Sequence, residues 1–321
     1  MKSIGRAATW LTLAVFAIVA GPVWAQQNEL KIMAPAAPGG GWDQTARAMQ
    51  QALVTSGLVR SVQVNNVPGA GGSVGIAQLV NGAKGDSGTV MVNGFVMMGA
   101  LLTNKSPVIL DQATPIARLT EEAEAIVVPA ESSIRTAKDL AAAVKADPAK
   151  VRWAGGSAGG VDHITAGLFA QLAGADPTKI NYIPFSGGGE ALAAILSGRM
   201  TAGISGYGEF EGQVKAGKLR VIAVTSAKRL PGVQAPTLKE QGIDLVITNW
   251  RSVMAPPGLS VQQVKELTIL MDRMTKSAAW QDILKQKGWD DSYLSGEPFQ
   301  AFLKSENARV RAVLMSIGLV K

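Results

Sequence analysis

Along the chain, short apolar runs alternate with amphipathic stretches, and glycines punctuate the changes. Glu29–Ala34 reads as a strand. From about Trp42, the residues Trp42, Ala46, Met49 and Leu53 recur at helical spacing and predict one buried helix face. Ser61–Val67 is a second strand, closed by a PGAGG turn at Pro68–Gly72 and followed by a helix through Val74–Val80. Thr89–Val92 is a third strand. The stretch Arg118–Pro129 holds two short apolar runs, ARL and AIVV. Thr136 caps a helix, Lys150–Ala154 forms a strand, and the glycine loop Gly155–Gly160 leads into the helix HITAGLFAQLAG. Asn181–Pro184 repeats the theme with the loop Ser186–Gly189 and a helix over Glu190–Ser197. Leu219–Thr225 lacks polar alternation, as a strand buried on both faces does. Ser260 caps VQQVKELTILMDRMTK, and Ser295 caps a last helix opened by Glu297 and Pro298.

Strand, glycine turn and helix in repetition predict an α/β protein with largely parallel sheets. A length of 321 residues with 47% hydrophobic content suits two domains. No Pro-rich linker separates them, so ordinary segments must join them. The best crossing points are the strand-like Ala125–Pro129 and Val221–Thr225. Domain 1 is then discontinuous, 26–126 plus 226–321, and domain 2 is 127–225.

Residues 1–25 are set apart from this pattern. Lys2 and Arg6 form a basic start, Ala7–Gly21 is an apolar run of 15 residues, and Val23-Trp24-Ala25 is a cleavage site. The apolar run is shorter than the ~20 residues of a spanning helix. A signal peptide cleaved after Ala25 and an exported protein are expected. Its removal takes two basic residues from a formal charge of +7, leaving +5. The remaining Lys and Arg are scattered rather than striped, which argues against nucleic acid. Cysteine is absent and histidine occurs once, so disulfides, thiolate metal sites and a cysteine nucleophile are excluded. No metal or cofactor is expected: PGAGGSVG has Val74 where the third glycine of a dinucleotide fingerprint belongs.

The candidate chemistry lies in four glycine loops. In open α/β sheets, ligands bind at strand carboxyl ends beside helix starts, whose first amides lack intrahelical partners and favour negative charge. Pro38, Gly39, Gly40 and Gly41 lead into Trp42 and Asp43. Gly71 and Gly72 end the second loop. Ser157, Ala158 and Asp162 mark the third, and Ser186, Gly187, Gly188, Gly189 and Glu190 the fourth. Two such loops in each domain describe a cleft for an anion. Asp43 and Glu190, each in a first helical turn, read as partners of their own loop amides. An alternative comes from Gly155–Gly159, which matches G-x-S-x-G and offers Ser157 as the nucleophile of a hydrolase. The single histidine, His163, lies only six residues downstream, inside the following helix, where no hydrolase order places it.

Five motifs in order carry a family resemblance: PAAPGGGWDQTAR, NVPGAGGSVG, WAGGSAGGVDHITAG, NYIPFSGGGEALAAILSG and KLRVIAVTSAKR. Together they resemble the extracytoplasmic solute receptors of tripartite tricarboxylate transporters, the Bordetella uptake gene family, over essentially the whole mature chain. GGGWDQTAR resembles the tricarboxylate-binding branch. The resemblance implies a two-lobed periplasmic-binding-protein fold of the Venus flytrap, type II-like kind, with two crossover strands. It implies a monomeric, non-enzymatic periplasmic receptor for a small carboxylate, with citrate first and dicarboxylates next. It also implies delivery to a large and a small membrane subunit. A ligand carboxylate would be held by backbone amides and bridging waters from Pro38–Asp43 and Ser186–Glu190, with Ser157 and Asp162 alongside and few charged side chains.

Overall fold

The computed structural model describes residues 27–186 and 188–321, so the expected signal segment 1–25 and Gly187 lie outside the described residues. Its strands are β1 (Gln27–Ala34), β2 (Val59–Asn66), β3 (Thr89–Gly94), β4 (Thr114–Pro129), β5 (Arg152–Gly155), β6 (Asn181–Pro184), β7 (Ala202–Gly206), β8 (Leu219–Val224), β9 (Thr248–Ala255) and β10 (Asp290–Ser295). The helices are α1 (Gly41–Thr55), α2 (Ser73–Gly82), α3 (Phe95–Thr103), α4 (Ala137–Ala146), α5 (Val161–Leu172), α6 (Gly188–Leu196), α7 (Tyr207–Lys215), α8 (Val261–Thr275), α9 (Ala278–Lys287) and α10 (Gly296–Ser316).

The strands form two sheets that share β4. In the first, β2, β1 and β3 run parallel, and β9, β4 and β10 follow with antiparallel pairing. In the second, β8 and β7 flank β4 antiparallel, and β5 and β6 continue parallel from β7. The expectation of largely parallel sheets therefore holds for the outer βα units and fails at the centre. The physical reason is connectivity: β4 leaves the first sheet and β9 returns to it, so adjacent crossing strands run in opposite directions.

β4 is the joint between the sheets. Its residues Thr114 to Ala123 pair with β9, whereas Glu124 onward pairs with β7 and β8. The sequence shows this strand as two apolar runs because its environment changes halfway along. Beside the changeover lies Thr225, at the end of β8. Its N–H donates to the Glu124 carbonyl, and its hydroxyl accepts from the Glu124 N–H and donates to the Ile247 carbonyl. The returning chain is thus tied to β4 at the point where β4 changes sheets.

Local chemistry accounts for several boundaries. Thr136 caps α4 by accepting from Asp139 N–H, and Ser260 caps α8 by accepting from Gln263 N–H. Ser295 occupies the expected cap position of α10, but its side chain makes no cap bond. Trp42, Ala46, Met49 and Leu53 are all buried on the inner face of α1. α3 escapes a reading by periodicity because its face is apolar almost all round, with Phe95, Met97, Met98, Ala100 and Leu101 buried. A smaller apolar cluster, including Val127, Ile195 and Phe210, fills one side of the second sheet.

Candidate functional site

Loops from both sheets open on one cavity of about 370 Å³. From the first sheet come Pro35, Ala36, Gly40, Gly41 and Trp42, with Gly69 to Gly71 beside them. From the second come Ser157, Ala158, Asp162, Pro184 to Ser186 and Glu190. Ser205, Glu209, Asn249 and Arg251 complete the wall. The site therefore sits at the carboxyl ends of β1, β5 and β6, where an α/β architecture places ligands.

The first loop is shaped by its own acid. Gly39 turns the chain at φ +85°, and Gly40 precedes α1 with no side-chain cap. Asp43 is buried and aims away from the cavity. Its carboxylate accepts from the Gly39 N–H at 2.8 Å, Asn66 Nδ2 at 2.9 Å and Arg47 Nε at 3.0 Å. Burial raises its pKa, but the bonds from Arg47, Gly39 and Asn66 outweigh that and leave it below the ordinary value. Gly41 has a different reason to be glycine: a Cβ there would collide with the Arg251 guanidinium and lie 3.3 Å from Glu209 Oε1.

The opposing loops repeat the device. Asp162, in the first turn of α5, accepts from Gly156 N–H at 2.6 Å, and Glu190, in the first turn of α6, accepts from Ser186 N–H at 3.2 Å. Tyr182 adds a bond from its hydroxyl to the Gly156 carbonyl. The start of α5, like that of α1, has no side-chain cap. Three glycine loops are thus each held by an acid from the helix they lead into.

Of the residues picked out from sequence, Gly40, Gly41, Trp42, Gly71, Ser157, Ala158, Asp162, Ser186 and Glu190 meet in the cavity wall. Pro38 and Gly39 are exposed behind the first loop. Gly72 is buried under the Trp42 ring and Met97. Gly188 and Gly189 open α6, and Gly189 is exposed. Trp42 is both core and wall, 7% exposed.

The wall also holds charge that the resemblance does not imply. Arg251 on β9 is buried and forms an ion pair with Glu122 on β4. Glu122 also accepts from Trp289 Nε1 at 2.8 Å, and the guanidinium lies over the Trp289 ring. Glu209 stands beside this pair, in the first turn of α7. Burial, then the Glu122 charge, push its pKa up to about 8. Burial likewise takes Asp162 up to about 6, against the pull of its Gly156 bond. Glu124 lies fully buried behind Asp162. Burial, then the charges of Asp162 and Glu122, raise it well above the carboxylate range. These residues carry no local motif. Arg251 and Glu122 are 129 positions apart, and only the pairing of β4 with β9 brings them together.

Ser157 has no histidine base. Nδ1 of His163 accepts from Gly159 N–H at 3.2 Å, its ring stacks on Tyr182 at 4.1 Å, and it lines a different cavity from Ser157. Burial lowers its pKa to about 4, so it is neutral at pH 7. The hydrolase reading loses its proton acceptor on this geometry.

Comparison with known proteins agrees with the architecture. BugT of Bordetella pertussis is 26% identical over 94% of this chain and 93% of its own length. The structure of the periplasmic binding protein BugD aligns with a TM-score of 0.79 at 22% identity, covering 92% of this chain and 99% of that one. MatC from Rhodopseudomonas palustris, with bound malate, aligns with a TM-score of 0.76 at 23% identity, covering 92% and 100%. The fold is that of the two-lobed periplasmic binding proteins. Residues 45–319 match the tripartite tricarboxylate transporter family receptor, and the chain belongs to that family.

Proposed function

We propose that this chain is an exported periplasmic receptor that captures a small organic acid between its two sheets and hands it to the membrane subunits of a tripartite transporter. The lobes are 26–126 plus 226–321 and 127–225, and the receptor works as a monomer without catalysis. The observation that carries this reading is the convergence of α1 and α5, from different sheets and both without side-chain caps, on one cavity. Amides at such helix starts favour a carboxylate. The malate held by MatC is a ligand of this kind. Citrate and other tricarboxylates stay in the candidate set, but Asp162, Glu190 and Glu209 in the wall favour the less highly charged acids.

Calorimetry on protein unfolded and refolded to strip carried-over ligand tests the reading, with citrate, succinate, malate, glutarate and glutamate as probes. At least one acid should bind. Gly40→Val places a branched side chain in the wall beside the α1 amides. It should weaken that acid about tenfold or more while the protein still melts cooperatively. Binding of no acid, or parental affinity in the valine variant, would sink the proposal.

A further inference from the structure

The cavity wall presents three carboxylates, Asp162, Glu190 and Glu209, and one guanidinium. That guanidinium is already paired with Glu122. Glu190 and Asp162 each accept one loop amide, which leaves lone pairs over. Glu209 Oε2 is buried and unpartnered. A second observation is independent of the acids. Asn249, on β9, lines the same cavity at 8% exposure, and its Oδ1 is also buried without a partner. A buried, unpaired polar atom is costly, and in a binding site it marks a contact that the ligand completes. Above about pH 8, where Glu209 is ionised, all these free atoms are acceptors. A ligand made only of carboxylates brings more acceptors and more negative charge to them. Among the described residues no three acidic or histidine side chains are placed to hold a metal ion.

We propose that the ligand carries a protonated nitrogen as well as its carboxylate, and that the nitrogen docks against Glu209, Asp162 and the Asn249 side-chain oxygen while the carboxylate faces the uncapped helix starts. The ligand class is then a small zwitterionic acid. This rests on the carboxylate-receptor reading and narrows it. Position supports the division of labour. Glu209 Oε1 approaches Gly41 from beneath the first loop, so the acceptor group lies next to the amides, within the span of one small molecule.

Matched pairs that differ by an amine test it on ligand-stripped protein: aspartate against succinate, glutamate against glutarate, and 4-aminobutyrate against butyrate. In at least one pair the amine-bearing acid should bind about tenfold tighter or more, the size of one charge-assisted hydrogen bond. Glu209→Gln keeps the shape and, in measurements at about pH 8.5 where Glu209 is ionised, removes the charge. It should shrink that ratio severalfold. Equal or tighter binding of the amine-free acids in every pair overturns the zwitterion proposal and leaves the carboxylate receptor standing. A ratio unchanged by Glu209→Gln overturns the docking of the nitrogen at Glu209. Failure of all six compounds, together with citrate and malate, overturns the carboxylate reading and this one with it.

Discussion

Gly41 and Asp43 sit two residues apart and show what a local reading reaches. Asp43 was legible: an acid in the first turn after a glycine loop has loop amides within range, and its carboxylate accepts from Gly39 N–H. The reason for Gly41 was not. The run of glycines suggests ligand approach, whereas at this position the guanidinium of Arg251 fills the space a side chain would take. Arg251, Glu122, Glu209 and Asn249 were illegible for one physical reason. Each is an ordinary polar residue in its own segment, and its meaning comes from partners the fold brings from elsewhere: pairing of β4 with β9 joins Glu122 to Asn249 and Arg251 across more than a hundred positions, and α7 sets Glu209 beside them. The Arg251–Glu122 pair is buried, so breaking it should be expensive. Arg251→Met is expected to cost about 3–5 kcal/mol in urea unfolding, because it strands the Glu122 carboxylate. Adding Glu122→Gln should restore a large part of that loss. A single-variant cost below about 1 kcal/mol would show the pair to be solvated and of little structural weight.

At the scale of elements, the outer βα units were readable because each carries its own signals: an apolar run, a glycine or capping turn, then a helical face. β4 resisted because one strand serves two sheets. The crossing region was placed at Ala125–Pro129 and Val221–Thr225, and the change of partners falls between Ala123 and Glu124, with Thr225 alongside. Thr225 is fully buried and bonds both crossing segments through one hydroxyl. Thr225→Val keeps the shape and leaves the Glu124 N–H and the Ile247 carbonyl without that partner. The variant should lose about 1–3 kcal/mol of stability. Hydrogen exchange should accelerate at the Glu124 amide before it does in β1 or β3. Uniform acceleration across both sheets would mean that Thr225 supports the whole fold rather than the crossing.

At the scale of the whole molecule, the carboxylates at the junction make stability depend on pH, and the sign follows from which state holds the protons. Glu209 at about 8 and Asp162 at about 6 lie above their ordinary values of 4.5 and 3.8. Glu124 is shifted in the same direction. Below the ordinary values, both folded and unfolded chains are protonated at these groups, and their contribution to stability is complete. As pH rises, the unfolded chain releases protons that the folded chain retains, so stability falls, and the contribution is lost once pH passes the folded values. Asp43 acts the other way: its pKa is lowered, so its contribution is present above its unfolded value and is lost as pH falls through the folded one. Between about pH 5 and about pH 8.5 the raised groups dominate, and the ligand-free protein should melt at progressively lower temperature. Glu209→Gln removes one of the groups that must ionise, so it should raise the melting temperature at the alkaline end and flatten the curve above about pH 6.5, where Asp162 has already ionised. A bound zwitterion supplies the missing positive charge to the same carboxylates. It should therefore stabilise the protein more at the alkaline end than at the acidic end, while an amine-free acid does the reverse. Melting curves of the stripped protein across this range, with aspartate and with succinate, decide the matter. A flat profile for the ligand-free parent would place these carboxylates in water and remove the electrostatic basis for the ligand class.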